Sequence, residues 1–418
     1  MTTPVSTDET PAYLRQQSTG LGASVKGYVA RLRGGEMGSL PAVLGLIILV
    51  VLFSLLRPTF FTPLNFANFF SQAALVVILA MGLIFVLLLG EIDLSAGVTS
   101  GVSAAILAVL MQKQGVAWPL AVTAALASGI AIGLFIGFLV ARVGIPSFVV
   151  TLALFLAFQG LVLVIIGEGG NIRITEPVIL AIQNNNLSPL LGWVFYAIVV
   201  LGYLGGALYG RQQRLRRGFA ASGLSLIIAK AAVIAVIGFA VVWILNLERS
   251  VNPAKNPLSG VPIIVPIIAV LTLVFGFILT RTSFGRHVYA VGGNVEAARR
   301  AGISISRIRI VCFTICSGTA AFAGLVYASR AASVDPNAGR FVVLSAVAAA
   351  VIGGTSLFGG KGRIQDALIG GAVVAVIDNG MGLLGYPAGV KLMITGAVLM
   401  LAASADALSR KRSITTGK

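Results

Sequence analysis

Ionisable side chains are what this sequence has least of. Charged residues fill 10% of its 418 positions, and only 13 residues are acidic. A soluble domain carries about a quarter charged residues, so a water-facing globular surface is excluded. Histidine occurs once, at His287, and cysteine twice, at Cys312 and Cys316. The two cysteines lie four apart in one apolar run, where they share a helix face yet are poorly placed for a disulfide. As small buried hydrophobes they need no chemistry, and no ligand cluster surrounds His287, so no metal site is expected. No stretch matches G-x-x-x-x-G-K-[ST]. GGTSLFGGKG comes nearest, but its Lys361 is followed by Gly362 and no strand precedes it. The chain is therefore expected to have no catalytic residues and not to hydrolyse ATP itself. Its first forty residues are polar and lack a short apolar stretch with a small-residue cleavage site, so no cleaved signal peptide is expected. Strand-type alternation is missing too, which argues against a membrane barrel.

What is present is apolar. Hydrophobic residues make up 57% of the chain, the mean hydropathy is +0.99, and runs of the ~20 residues a bilayer crossing needs recur from Pro41 to Leu408. The sequence predicts an all-α polytopic membrane protein, and its 50 glycines suit helices that approach closely through small residues. A net charge of +17 suggests nucleic acid at first sight. In a membrane protein the same charge holds loops on the cytoplasmic side, and nucleic acid is not an expected partner.

Hydrophobic segments fall near 40–57, 68–89, 96–112, 118–142, 146–166, 190–209, 223–246, 261–280, 310–329, 342–356, 365–385 and 388–408, predicting about 10–12 transmembrane helices. Residues 1–39 and 409–418 read as cytoplasmic tails flanking a membrane domain of residues 40–408. Counting crossings places the basic segments on one side: Lys26, Arg31 and Arg33, the RQQRLRR loop at 211–217, the loop 281–309 and the SRKR tail. Both termini are then cytoplasmic, and the loops 167–189, 248–257 and ASVDPNAGR face outward. The first of these is too polar for the bilayer and too long for a tight connection, which suggests a small lid or surface helix.

The loop 281–309 contains GGNVEAARRAGISISRIRI, beginning at Gly292. Val295 to Arg300 has helix-forming composition, with Glu296 near the start and Arg299 and Arg300 near the end, as the helix dipole favours; Gly302 stops it. Val295, Ala298 and Ile303 form an apolar face available to a partner. Such a helix either only helps to orient the protein or docks a soluble subunit.

Charged and polar groups inside apolar segments are functional candidates. Asp378 and Asn379 fall roughly mid-span, where they line a translocation path or form a packing pair. Gln159 is a further path candidate. In GEIDLSAG, at Gly90 to Gly97, Asp93 and Ser95 either cap the next helix or act in the substrate path or gate. Lys391 and Lys230 lie near span ends, where long stems snorkel. The glycines of GGTSLFGGKG allow tight turns. This stretch and GEIDLSAG both count as cytoplasmic, and together they hint at a parallel internal repeat.

Three stretches carry a family resemblance. GGNVEAARRAGI resembles the GGN-x-EAA-x-x-x-GI segment of bacterial monosaccharide permeases of the ABC-transporter type. GEIDLSAG is similar to their G-x-IDLSVG element, with Glu91 where glycine is common, and VIGGTSLFGGKG at Val351 to Gly362 also matches. The order and spacing agree over roughly residues 65–405. An extra helical arm at 190–246 is similar to that of the longer xylose-type members and leans the cargo toward a pentose. The resemblance implies the ABC importer permease fold in a bacterial cytoplasmic (inner) membrane. It implies that Glu296, Ala297, Ala298, Arg299, Arg300 and Gly302 dock an ATP-binding cassette subunit. ATP and Mg²⁺ then belong to that partner, and this chain holds no cofactor of its own. An extracytoplasmic sugar-binding protein delivers the cargo, and a homodimer, or a heterodimer with a close relative, lies among membrane lipids. The rival expectation is an ion-coupled secondary transporter of a small polar solute, using Asp93 or Asp378.

Overall fold

The computed structural model describes residues 39–219, 221, 223–250 and 252–415. The expected N-terminal tail, with Lys26, Arg31 and Arg33, lies outside the described residues except for Ser39. Fifteen α-helices follow one another among the described residues. They are α1 Leu40–Leu56, α2 Pro63–Leu87, α3 Ala96–Gln112, α4 Trp118–Phe138, α5 Ser147–Ile166, α6 Pro177–Asn184, α7 Pro189–Arg216, α8 Leu224–Asn246, α9 Ile264–Arg281, α10 Ser283–Gly293, α11 Val295–Arg300, α12 Ile305–Ala331, α13 Val342–Gly353, α14 Ile364–Leu383 and α15 Ala388–Thr415. Two short strands, β1 Ile172–Arg173 and β2 Ser333–Val334, pair antiparallel. Each of the twelve apolar segments is helical. Eight of the helices (α2, α4, α5, α7, α8, α9, α12 and α14) are long and apolar enough to cross a bilayer. The chain is an all-α polytopic membrane protein.

The packing divides into two units. One is Leu190–Trp243, within α7 and α8. There the Tyr196 hydroxyl donates to Ala235 O at 3.1 Å, and the Trp193 and Phe239 rings lie 5.1 Å apart. The other holds the remaining described helices, with α2 and α12 at its centre. From Ile78 to Leu88 every residue of the α2 segment is fully buried. Lipid tails are as apolar as leucine, so close packing rather than the hydrophobic effect holds such helices together. Sequence supplies that closeness through the stripe Gly129, Gly133 and Gly137 on α4. A Cβ at these positions would stand 2.6 Å from Ser317 O, 2.6 Å from Phe313 O and 2.7 Å from Ile310 Cα, all on α12.

Two expectations about topology are corrected. The segment 342–356 does not span as one helix: α13 ends at Gly353, and its 12 residues cover only about 18 Å at 1.5 Å per residue, so the return from the cavity end of α12 to the loop before α14 is shared between α13 and the irregular stretch that precedes it. The ASVDPNAGR segment, expected as a loop facing outward, is not a loop confined to the helix ends. Ala338 and Gly339 pack against Gly101 and Gly97 at the start of α3, and Ser100 of the same turn meets Gly324 of α12. Gly324 lies about 10 Å inside the end of α12 by the same rise. The segment therefore dips between helices, which irregular backbone tolerates when protein rather than lipid surrounds it. The polar stretch 167–189 contains β1 and the surface helix α6, tied to α12 by Asn184 Nδ2 donating to Ser329 O at 2.8 Å.

After α8, Glu248 organises a turn. Its Oε1 accepts from the backbone N–H of Leu258 (2.8 Å), Ser250 (2.9 Å) and Arg249 (3.1 Å). The Leu258 amide, then that of Ser250, holds this carboxyl below the ordinary glutamate value of 4.5. A lowered pKa makes the contribution complete above pH 4.5, and it is lost as pH falls through the lowered value. Acidification below 4.5 is therefore expected to lower the hydrogen-exchange protection of the Leu258 amide, and Glu248→Gln to lower it at neutral pH. Protection unchanged by either would remove this role.

Candidate functional site

The short helix α11 forms for local reasons. Asn294 Oδ1 accepts from the Ala297 N–H at 2.9 Å, an N-cap, and Glu296 pairs with Arg299 at 3.1 Å and Arg300 at 3.6 Å. At the other end Gly302 N–H donates to Arg299 O (3.0 Å) and Ile303 N–H to Ala298 O (3.1 Å), a Schellman closure. That closure needs the left-handed φ of +79° that Gly302 adopts. Contrary to the expectation from sequence, the apolar face is turned to the chain's own core rather than left available to a partner. Ala298 is 4% exposed, and Val295 and Ile303 pack with it on the protein's own core. The exposed face includes Glu296, Ala297, Arg299, Arg300, Ala301 and Gly302, and Ala298 drops out of the surface a partner can touch.

The three distinctive stretches, far apart in sequence, meet at the base of α11. A Cβ on Gly292 would overlap Leu88 O and stand 2.8 Å from Gly360 N. The Gly360 N–H donates to the same Leu88 O at 2.9 Å. A Cβ on Gly90 would lie 3.3 Å from Phe358 O. Two side-chain ties complete this junction. Glu91 pairs with Arg309 at 2.9 Å, and the Tyr289 hydroxyl donates to Gly362 O at 2.8 Å. Burial, and then the nearby Asp366 carboxylate, holds the Tyr289 phenol above its ordinary range.

GEIDLSAG only begins at this junction. Asp93 and Ser95 are fully buried inside the bundle, with Asp93 beside the Cys316 thiol. Ser95 makes no side-chain cap. Instead Asp93 Oδ1 accepts from the Ser95 N–H (3.0 Å) and hydroxyl (2.6 Å). The stretch is thus not a cytoplasmic loop throughout, and the structure places neither residue on an open path.

A cavity of about 650 Å³ lies at the opposite end of the same helices. Asn65, Asn68 and Gln72 from α2, Asp378 and Asn379 from α14, Arg330 from α12 and Lys391 from α15 supply its polar wall. Asp378 and Asn379 sit in the second half of α14, and they differ in character. Asn379 is buried and paired reciprocally with Asn65 (Asn65 Nδ2 to Asn379 Oδ1 2.8 Å, Asn379 Nδ2 to Asn65 Oδ1 2.9 Å), with a further bond to Gln72 Oε1 at 3.1 Å. Asp378 is half-buried, facing the cavity in the field of Lys391 and Arg330. Gln159 lies elsewhere: with its amide oxygen turned toward Arg340 it accepts from Nε at 2.7 Å and Nη1 at 3.2 Å. Sequence reasoning passed over Asn65, Asn68 and Gln72, although their i, i+3, i+7 spacing puts three amides on one face of an apolar helix. Lys391 was readable only as a snorkelling end. Among the described residues no group of three potential metal ligands occurs.

Three helices join the two sites. α2 runs from Asn65 at the cavity to Leu88 at the junction, α12 from Arg309 to Arg330, and α14 from the junction loop to Asp378. At 1.5 Å per residue the separations are about 35, 32 and 21 Å. The arrangement suits transmission of a displacement from α11 to the cavity by stiff, densely packed rods.

Comparison with known proteins places the chain in a family. The model of the family described as branched-chain amino acid transport system / permease component matches residues 65–403. The xylose transport system permease protein of Escherichia coli (strain K12) is 35% identical over 349 residues, covering 84% of this chain and 86% of the relative. The corresponding protein of Haemophilus influenzae is 34% identical, covering 83% and 90%. The ribose import permease protein of Bacillus subtilis is 34% identical over 379 residues, covering 91% and 95%. No solved structure matches the chain.

Proposed function

The chain belongs to the family described as branched-chain amino acid transport system / permease component, and on that premise we propose that it is the membrane-spanning subunit of an ATP-driven monosaccharide importer. The names of the xylose and ribose relatives favour a pentose, xylose first. The location is the bacterial cytoplasmic membrane, with both termini inside. An ATP-binding cassette subunit, which holds the ATP and Mg²⁺, docks on the exposed face of α11 through Glu296, Ala297, Arg299, Arg300 and Gly302. An extracytoplasmic binding protein delivers the sugar at the cavity end. Because an ATPase pair needs two docking helices and this chain offers one, two copies act together.

The observation that carries this reading is the pair of sites at opposite ends of α2, α12 and α14. A load on α11 passes through Gly292 of α10 to Leu88 and Gly360 and along the chain into α12, which carries Arg309, and the same helices carry Gln72, Asp378 and Arg330 at the cavity. ATP-driven closure of the partner subunits would move the junction and so re-aim the polar wall.

The test is co-purification with the ATPase subunit and sugar-stimulated ATP hydrolysis in proteoliposomes. Gly302→Pro cannot adopt the left-handed φ and loses the N–H that closes α11. A local cost of about 1–3 kcal/mol is expected to lower stimulated hydrolysis roughly tenfold, while insertion is retained. Glu296→Ala removes only exposed ion pairs, worth about 0.2–1 kcal/mol, and is expected to cost a few-fold at most. Unchanged coupling in both variants would remove the docking assignment. Sugar uptake by the purified chain under an ion gradient, with no ATPase present, would replace the reading with a secondary transporter.

A further inference from the structure

The hairpin Leu190–Trp243 contains a chemistry that sugar transport does not use. From Leu190 to Leu247 the sequence has no Asp or Glu, yet it carries Arg211, Arg214, Arg216, Arg217 and Lys230. Any counter-ion for these side chains must come from outside the hairpin. α7 has 28 residues, about 42 Å, against a hydrocarbon core of about 30 Å. Its apolar stretch ends near Tyr209, and the last two turns project past the core into the headgroup layer. There Arg214, Arg216 and Arg217 are exposed and interleaved with Tyr209, Leu215 and Phe219, which are 65%, 50% and 65% exposed. Arginine mixed with exposed aromatic and aliphatic side chains is the composition of a surface that meets both phosphate and acyl chain.

A second feature lies on the same hairpin. A groove of about 340 Å³ is lined by Tyr203 of α7 and by Ala229, Lys230, Val233 and Ile234 of α8. Its wall is apolar apart from the Tyr203 hydroxyl and one cation. Lys230 stands six residues after Leu224, about 9 Å along α8, so a snorkelling stem brings its ammonium to headgroup level with Val233 and Ile234 one turn deeper. A soluble protein cannot enter at that depth, whereas a phospholipid presents its phosphate and its chain in this order. An excess of arginine at one end of a membrane hairpin assigns that end to the cytoplasmic leaflet.

We propose that the α7–α8 hairpin binds an anionic phospholipid of the cytoplasmic leaflet, with Lys230 fixing the phosphate, one acyl chain in the groove beside Tyr203, and the arginine tip supplying the attracting field. The full chain, reconstituted in phosphatidylcholine bilayers containing a minority of phosphatidylglycerol and then extracted, is expected to retain phosphatidylglycerol selectively in native mass spectrometry. A cation near an anionic surface contributes about fivefold in affinity. Lys230→Gln is therefore expected to lower retention about fivefold, and the triple variant R214Q/R216Q/R217Q more than tenfold, the latter alone weakening with added salt. Equal retention of the two lipids by the wild type would overturn the proposal. So would wild-type retention in Lys230→Gln, which would leave only diffuse attraction to the tip. Loss of a co-purifying soluble subunit from the triple variant, with lipid retention intact, would make the tip a protein contact and equally overturn it.

Discussion

Gly292→Ala is expected to lower ATP-driven sugar uptake in proteoliposomes by about tenfold or more, while the neighbouring Gly293→Ala transports like the wild type. The two glycines are adjacent on α10 and alike in sequence context, but their surroundings differ. A Cβ at 293 meets nothing within 4 Å, whereas a Cβ at 292 overlaps Leu88 O and stands 2.8 Å from Gly360 N. Both of those atoms belong to backbone, so no rotamer change relieves the clash. The three segments must separate, stretching the Gly360 N–H to Leu88 O bond of 2.9 Å. Overpacking of this kind costs about 1–3 kcal/mol, occasionally more, and here the cost falls on the junction where α10 meets the end of α2 and the loop before α14. The variant is therefore expected to insert and to retain basal ATP hydrolysis with its partner, but to lose the sugar-stimulated part. Equal uptake by Gly292→Ala and Gly293→Ala would show that close contact at this junction does not transmit the stroke.

The sequence made the helices legible because a bilayer demands continuous apolar runs, and that demand leaves little freedom. α11 was legible to the residue, since its composition, its charges and its terminating glycine are all local signals. Its orientation was not. Val295, Ala298 and Ile303 announce an apolar face, but a six-residue helix gives no sign whether that face meets the chain's own core or another protein, and here it meets the core. The re-entrant course of the segment before α13 was hidden for the opposite reason. Asp335, Asn337 and Arg340 make it look solvent-exposed, while the residues that fix its depth, Ala338 and Gly339, are small and carry no pattern. At the cavity, Asp378 stood out as a charge in an apolar run. The amides of α2 did not, because an isolated Asn or Gln in a membrane segment reads as a packing group until a facing helix supplies the rest of the wall.

That facing wall separates the roles of the two adjacent residues, Asp378 and Asn379, and leads to the second large expected effect. Asp378→Asn keeps the side-chain shape and removes the one acidic group among the described residues lining a cavity that also presents Arg330 and Lys391. A hydroxyl-rich cargo would then lose a charged acceptor, a hydrogen bond worth about 1.5–3 kcal/mol, and two cations would be left without the intervening negative charge. Uptake is expected to fall between about tenfold and a hundredfold, with thermal stability little changed because Asp378 faces open space. Asn379→Ala should do the reverse. It deprives the buried Asn65 amide of both reciprocal bonds, at a cost of about 1–3 kcal/mol in stability, while the cavity keeps its charges and uptake by the surviving folded protein stays within a few-fold of wild type. Measuring uptake and unfolding temperature for both variants distinguishes the two roles. Wild-type uptake in Asp378→Asn would take the cavity off the path. If Asn379→Ala lost uptake without losing stability, the amide pair rather than the carboxylate would be the group that meets the sugar.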